Sequence, residues 1–171
     1  MKIWIVRHAH AVTEEENPQR PLSAAGRETC RQLVEFFRRN GRLAATTVVW
    51  HSPLARARET AELLGAGVAP AAMLTETGGL LPGDAPVLVA ERLEQQEGNV
   101  MMVGHEPHLS ALVTLLVRGK AEPVAFDLKK GAVVELESAV GRHKKSGLWR
   151  WQVRWLFSPE LLRPAEDRPR K

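Results

Sequence analysis

The chain has 171 residues, 44% of them hydrophobic and 26% charged, which suffices for one buried core and leaves nothing to suggest a second. Its 24 Lys and Arg exceed its 20 Asp and Glu, a formal net charge of +4, which points to an acidic or phosphorylated partner rather than a basic one. The lone cysteine, Cys30, excludes an internal disulfide or a thiolate metal cluster. No stretch approaches the roughly 18 apolar residues of a membrane span. Met1-Lys2 runs straight into a strand pattern with no signal sequence, so a cytoplasmic protein is expected.

Ile3 to Val6 is an apolar, β-branched run that reads as a strand buried on both faces, and it ends in Arg7-His8. Open α/β sheets bind ligands beyond the carboxyl ends of their strands, and an arginine beside a histidine suits an anion. Alone, the pair reads first as a strand leaving the core. Ala9 to Pro21 is a polar loop containing Pro18 and Pro21, from which Arg20 is placed to reach back toward the strand end. Ser23 is an N-cap, Cys30, Leu33, Val34 and Phe37 follow at helical spacing, and Asn40-Gly41 stops the helix.

Thr46 to Trp50 is a second strand, ending in His51-Ser52-Pro53. Ser52 as cap and Pro53 as first helical residue would open a helix with Leu54, Ala57, Ala61 and Leu64 buried. Arg56 and Thr60 share a face of it, and Arg58 points elsewhere. A short strand near Met73-Leu74 follows, then Asp84 as the cap of a helix burying Ala85, Leu88, Val89 and Leu93 and ending near Gly98-Asn99. Val100 to Val103 is a third buried strand, ending in Gly104-His105-Glu106; Pro107 opens a helix with Leu109, Leu112, Val113 and Leu116 inward. Three strand ends thus deliver Arg7-His8, Ser52 with Arg56, and His105, all types that hold anions.

Ala132 to Ser138 and Leu148 to Phe157 form a terminal hairpin. In its second strand Trp149, Trp151, Val153 and Trp155 alternate with Arg150, Gln152 and Arg154. Aromatic and basic side chains on opposite faces indicate core packing rather than a nucleic-acid stacking platform, so no nucleic-acid partner is expected. Residues 1–160 form the expected single domain, with 161–171 a disordered basic tail.

Arg7-His8 after a strand, Ser52-Pro53-Leu54-Ala55-Arg56-Ala57 followed by Thr60, and Gly104-His105 after a later strand resemble the motifs of the histidine phosphatase superfamily. The short length and Arg20-Pro21-Leu22-Ser23 with Gly26 make the chain most similar to its SixA-type phosphohistidine phosphatases. The resemblance covers residues 1 to 157. It implies a phosphoglycerate mutase-like fold: a three-layer α/β/α arrangement with a mainly parallel central sheet and an antiparallel edge. It also implies a metal-independent phosphatase without cofactors. His8 would attack phosphorus to form a phosphohistidine, Arg7 and Arg56 would hold the phosphoryl oxygens with help from Arg20, and a protonated His105 would stabilise the transition state.

The general acid of many relatives has three candidates here, Glu76, Asp84 and Glu106. The branch resembled lacks a standard acid, which fits a phosphoramidate, because imidazole leaves more readily than an alkoxide. Phosphohistidine in a protein is therefore the expected substrate. A phosphatase of small phosphate monoesters or other phosphorylated metabolites is the alternative, and a non-catalytic phosphate-binding module a third reading.

Overall fold

A computed structural model describes residues 1–124 and 126–162. Its elements alternate along the chain as β1 (Lys2–Arg7), α1 (Ala24–Asn40), β2 (Val48–His51), α2 (Ala55–Val68), β3 (Met73–Glu76), α3 (Pro86–Glu94), β4 (Val100–Gly104) and α4 (His108–Arg118). The hairpin β5 (Val133–Arg142) and β6 (Trp149–Phe157) follows, then a 3-10 turn, Pro159–Leu162. The sheet order is β3-β2-β4-β1-β5-β6. β1, β2, β3 and β4 are parallel, while β5 runs antiparallel to β1 and β6 to β5. This is the expected α/β/α sheet with an antiparallel edge. Of the tail expected from residue 161, Leu161 and Leu162 close the 3-10 turn, and the remainder lies outside the described residues.

Alternation along the buried strands divides the core in two. Ile3, Ile5, Val100 and Met102 face one side, covered by Val89 and Leu93 of α3 and Leu109, Leu112 and Leu116 of α4. Trp4, Val6, Val49, Met101 and Val103 face the other, covered by Leu33 and Phe37 of α1 and Ala57, Ala61 and Leu64 of α2. α1 begins and ends where its sequence predicts: Ser23 Oγ accepts from Gly26 N–H at 3.1 Å, and Gly41 ends it at φ 66°, a left-handed conformation that favours glycine. Gly26 has a second purpose, since a Cβ there would lie 2.0 Å from the carbonyl oxygen of His10. The loop after β1 is therefore clamped directly onto α1. Cys30 is buried beside Ala9 and Leu22, and burial pushes its thiol up to about 12, as befits an inert core residue. Among the described residues no helix is long and apolar enough to cross a membrane.

Several local expectations are corrected. Ser52 does not cap α2, which begins at Ala55 behind Leu54 with no side-chain cap; its hydroxyl is engaged elsewhere, as shown below. Asp84 does not cap α3 either: it accepts from Leu81 N–H at 2.9 Å and closes the preceding turn. α3 stops at Glu94 rather than near Gly98, and buries Val89, Ala90 and Leu93 while Leu88 is exposed. Pro107 is the N-cap of α4 rather than its first helical residue.

In β6 the alternation breaks: Glu135 faces Trp155 but Leu136 faces Val153, so one extra residue bulges at Arg154. Trp151 therefore packs into the α3–α4 side, whereas Trp155 joins Phe37 and Phe157 on the α1 side.

Candidate active site

The carboxyl ends of β1, β2 and β4 are laced together by backbone hydrogen bonds. His8 N–H donates to Gly104 O at 3.0 Å, and Ser52 N–H donates to Val103 O at 3.1 Å. These bonds carry the parallel ladder one residue past each strand, and they bring His8, Ser52 and His105 to one point. The His8 and His105 rings lie 4.9 Å apart, centre to centre, tilted by 55°. Both side chains are buried, with relative exposures of 8% and 2%.

Hydrogen bonds assign the ring nitrogens. His8 Nδ1 lies 2.7 Å from Ala9 O, and a carbonyl can only accept, so Nδ1 carries the proton and Nε2 keeps its lone pair. His105 Nε2 lies 2.9 Å from Ser52 Oγ. That oxygen also accepts from Leu54 N–H at 3.4 Å, and where its own proton goes to His105 Nε2 the ring proton sits on Nδ1. His105 Nδ1 has no partner among the described residues, an exposed chemical need in a buried place.

Burial, aided by nearby positive charge, keeps both rings neutral. Burial, then the Arg56, Arg7 and Lys130 charges, lower His8 from 6.5 to about 4, against the Ala9 hydrogen bond that raises it. Burial, then His8, Arg56, His108 and Arg7, lower His105 to about 3. Burial and the neighbouring positive charges thus favour the neutral form of His105 at pH 7. A bound phosphate dianion would offset the positive charges that add to the effect of burial.

Arg7 leaves the end of β1 with Nη1 donating to Leu128 O and lying 3.7 Å from Asp127 Oδ1, while its buried Nε has no partner among the described residues. Arg56 projects half-buried from the first turn of α2; burial and the nearby Arg20 guanidinium lower its pKa, with no carboxylate among the described residues opposing them. Thr60, one turn on, donates to Arg56 O at 2.7 Å and accepts from Ala9 N–H at 3.1 Å. The threonine of that helix start thus ties α2 to the residue after His8.

Arg20 sits at φ 47°, a left-handed conformation that costs a non-glycine residue about 1 kcal/mol. Its N–H donates to Asn17 O at 2.8 Å and Nε to Val12 O at 3.4 Å. The turn brings its guanidinium within electrostatic range of Arg56.

Of the candidate carboxylates, Glu106 is drawn closest to this machinery. It is half-buried, burial raises its pKa, and it feels both Arg7 and Asp127; Ser110 Oγ donates to its Oε1 at 2.8 Å. Glu76 is exposed at the end of edge strand β3. Asp84 is held by Leu81, and its charge acts on His108. His108 is only 2% exposed, and neither ring nitrogen has a partner among the described residues. His51 is likewise buried, with Nδ1 donating to Ser52 O at 3.0 Å. His10 is exposed and bonded to Ser23 Oγ at 2.8 Å.

Two members of the neighbourhood escape sequence reasoning, and a third is found there in another role. Asp127 lies in an irregular segment with no pattern to mark it. Lys130 is one lysine among many until the fold sets it near His8. Ser52 is visible, but as a helix cap rather than the partner of a histidine 53 residues away.

The model of the histidine phosphatase superfamily (branch 1) matches residues 3–78, which include Arg7-His8 and the Ser52-to-Thr60 segment. No protein of curated function matches the chain. Solved structures of similar fold include the protein histidine phosphatase SixA complexed with tungstate. It is 23% identical with a TM-score of 0.77, and the match covers 95% of this chain and 100% of that one. The alpha-ribazole phosphatase from Shigella flexneri is 18% identical with a TM-score of 0.68, covering 93% and 97%. A mycobacterial glucosyl-3-phosphoglycerate phosphatase is 16% identical with a TM-score of 0.66, covering 90% and 97%. Residues 3–78 thus match the histidine phosphatase superfamily, and the chain shares the fold of these solved structures, with paired histidines at the ends of β1 and β4.

Proposed function

We propose that the chain is a phosphatase in which His8 is the nucleophile and phosphohistidine in proteins the principal substrate. The observation that carries the proposal is the placement of His8: buried, its Nδ1 proton committed to Ala9 O and its Nε2 lone pair left for phosphorus, with burial holding the ring neutral at pH 7. Attack by Nε2 forms a P–N bond as the bond to the leaving group breaks, and water then hydrolyses the phosphohistidine to release phosphate and restore His8. Arg7, Arg56 and Arg20 supply positive charge to the three phosphoryl oxygens, and His105 Nδ1–H adds a donor. That cluster provides the charge a metal ion supplies in other phosphoryl transfers. Likeness to SixA in fold supports the protein substrate.

The test is turnover of a phosphohistidine-bearing protein beside a panel of phosphate monoesters, with chelator present, for wild type and His8→Ala. Preferential loss of phosphate from histidine, abolished in the variant, supports the proposal; activity retained by His8→Ala overturns it.

Glu106 favours a second reading, a phosphatase of phosphate monoesters. An alkoxide leaving group needs a proton, and a half-buried carboxyl with a raised pKa near Arg7 is able to supply one. Under this reading Glu106→Gln slows alkyl phosphate hydrolysis about 100-fold while sparing aryl phosphates with good leaving groups. Equal effects on both classes count against it.

A further inference from the structure

A groove of about 420 Å3 opens beside the nucleophile, between the first turns of α1, the segment around residues 127–130 and the C-terminal 3-10 turn. Arg7, His10, Lys129 and Lys130 line it. The reaction described above leaves this space unused. Its charge is unevenly matched. Asp127 is shared between Arg7, at 3.7 Å, and Lys129, at 3.5 Å, and Glu160 also lines the groove. Lys130 has no carboxylate partner among the described residues, and its charge reaches the His8 ring. α1 carries no acidic residue in its first turn to offset its N-terminal dipole. Ser158, which also lines the groove, has a hydroxyl with no partner among the described residues.

We propose that this groove is a second anion subsite, taking a carboxylate or phosphate borne by the same molecule as the phosphoryl group, with Lys130 and Lys129 as its ligands. The inference rests on the reading that the phosphoryl group itself binds at Arg7, His8, Arg56 and His105. Arg7 stands between the two positions, so an anion in the groove also relieves Asp127 of one of its two cations. A substrate with a neutral leaving group gains nothing from the lysines. One with a second anion gains an ion pair at each, on the scale of a partly exposed pair, about three- to fivefold in affinity per lysine. The second anion has two sources, an acidic side chain near a phosphohistidine or the carboxylate or phosphate of a small metabolite.

Equilibrium binding of two probes tests this without requiring turnover: 3-phosphonopropanoate, which carries a second anion, and propylphosphonate, which does not. Wild type should bind the first about tenfold more tightly, and Lys129→Gln/Lys130→Gln should bring the ratio close to one, with Lys130→Arg restoring part of it. The preference should also shrink as salt rises. A wild-type ratio near one, a ratio that survives the double substitution, or failure of either phosphonate to bind overturns the proposal. Loss of phosphatase activity with the ratio intact would instead reject the function proposed above and leave the groove standing.

Phosphohistidine peptides with a neighbouring Glu or Gln separate the sources. A Glu preference that falls in Lys130→Gln assigns the anion to a protein, and a preference confined to the phosphonates assigns it to a metabolite.

Discussion

The four parallel strands and the β5–β6 hairpin belong to one sheet, yet they treat polar residues differently. At the carboxyl ends of β1, β2 and β4, His8, Ser52 and His105 are buried at 8% exposure or less and bonded to one another's strands. In the hairpin, Glu135 is the polar residue buried in comparable depth, and Trp4 Nε1–H and Lys2 Nζ satisfy it at 2.8 and 3.3 Å. Its hydrogen-bonding needs are met within the protein. At the strand ends, Arg7 Nε and His105 Nδ1 are left without partners among the described residues. In the hairpin Trp155 Nε1 is likewise without a partner among the described residues, so what separates the site is that its unsatisfied groups belong to a guanidinium and an imidazole gathered at one point.

That contrast can be broken or sharpened by substitution. The largest effect is expected at Arg56, which has no carboxylate beside it among the described residues: Arg56→Ala should lower kcat/KM by about 10²–10³-fold, the scale of losing a preorganised charge on a developing oxyanion, with the melting temperature nearly unchanged. The hairpin should answer in the opposite way. Trp151→Ala, at a side chain 4% exposed, should cost about 3 kcal/mol of stability in denaturant unfolding and leave kcat intact. A large loss of kcat there would place the hairpin in the chemistry and erase the distinction.

Acid should expose the strand ends next. His8 titrates at about 4 folded against 6.5 unfolded, so the unfolded chain binds more protons between those values. The stability it contributes is complete above about pH 6.5 and is lost as pH falls toward 4, on the order of 2–3 kcal/mol. His105, lowered to about 3, acts in the same direction. The melting temperature should therefore fall between pH 7 and pH 4, and fall less in His8→Ala; an equal fall in both would deny that His8 is held neutral by the site.

The smallest effect is positional. Ser52→Ala removes the hydroxyl that fixes His105, and should lower kcat about tenfold at unchanged KM, with Ser52→Thr restoring most of it. A change in KM alone would make Ser52 structural.

What could be read in the sequence divides along the same line. α1 was legible because its signals are local: Ser23 three residues before Gly26, apolar residues at helical spacing, Gly41 at the end. The strand ends were legible because a buried run and the polar residue after it are contiguous. Glu106 was visible only as one of three carboxylates, since burial and the nearness of Arg7 are properties of the folded chain.

Ser52 was misread because capping is the local meaning of Ser-Pro, and its actual partner arrives from β4. Asp84 was misread in the same way, its carboxylate turning back to Leu81. The faces of β6 were misassigned because the bulge at Arg154 exists only in the pairing with β5. The groove beside Arg7 is assembled from α1, an irregular loop and the 3-10 turn, and no stretch of sequence contains it.

The most direct test is to quench the enzyme during turnover of a phosphohistidine protein and of a good-leaving-group ester, and to map any phosphoryl adduct by mass spectrometry. The account predicts an acid-labile, alkali-stable phosphoryl group on His8, absent from His8→Ala. An adduct on another residue, or full turnover by wild type with none formed, would contradict the role assigned to the end of β1.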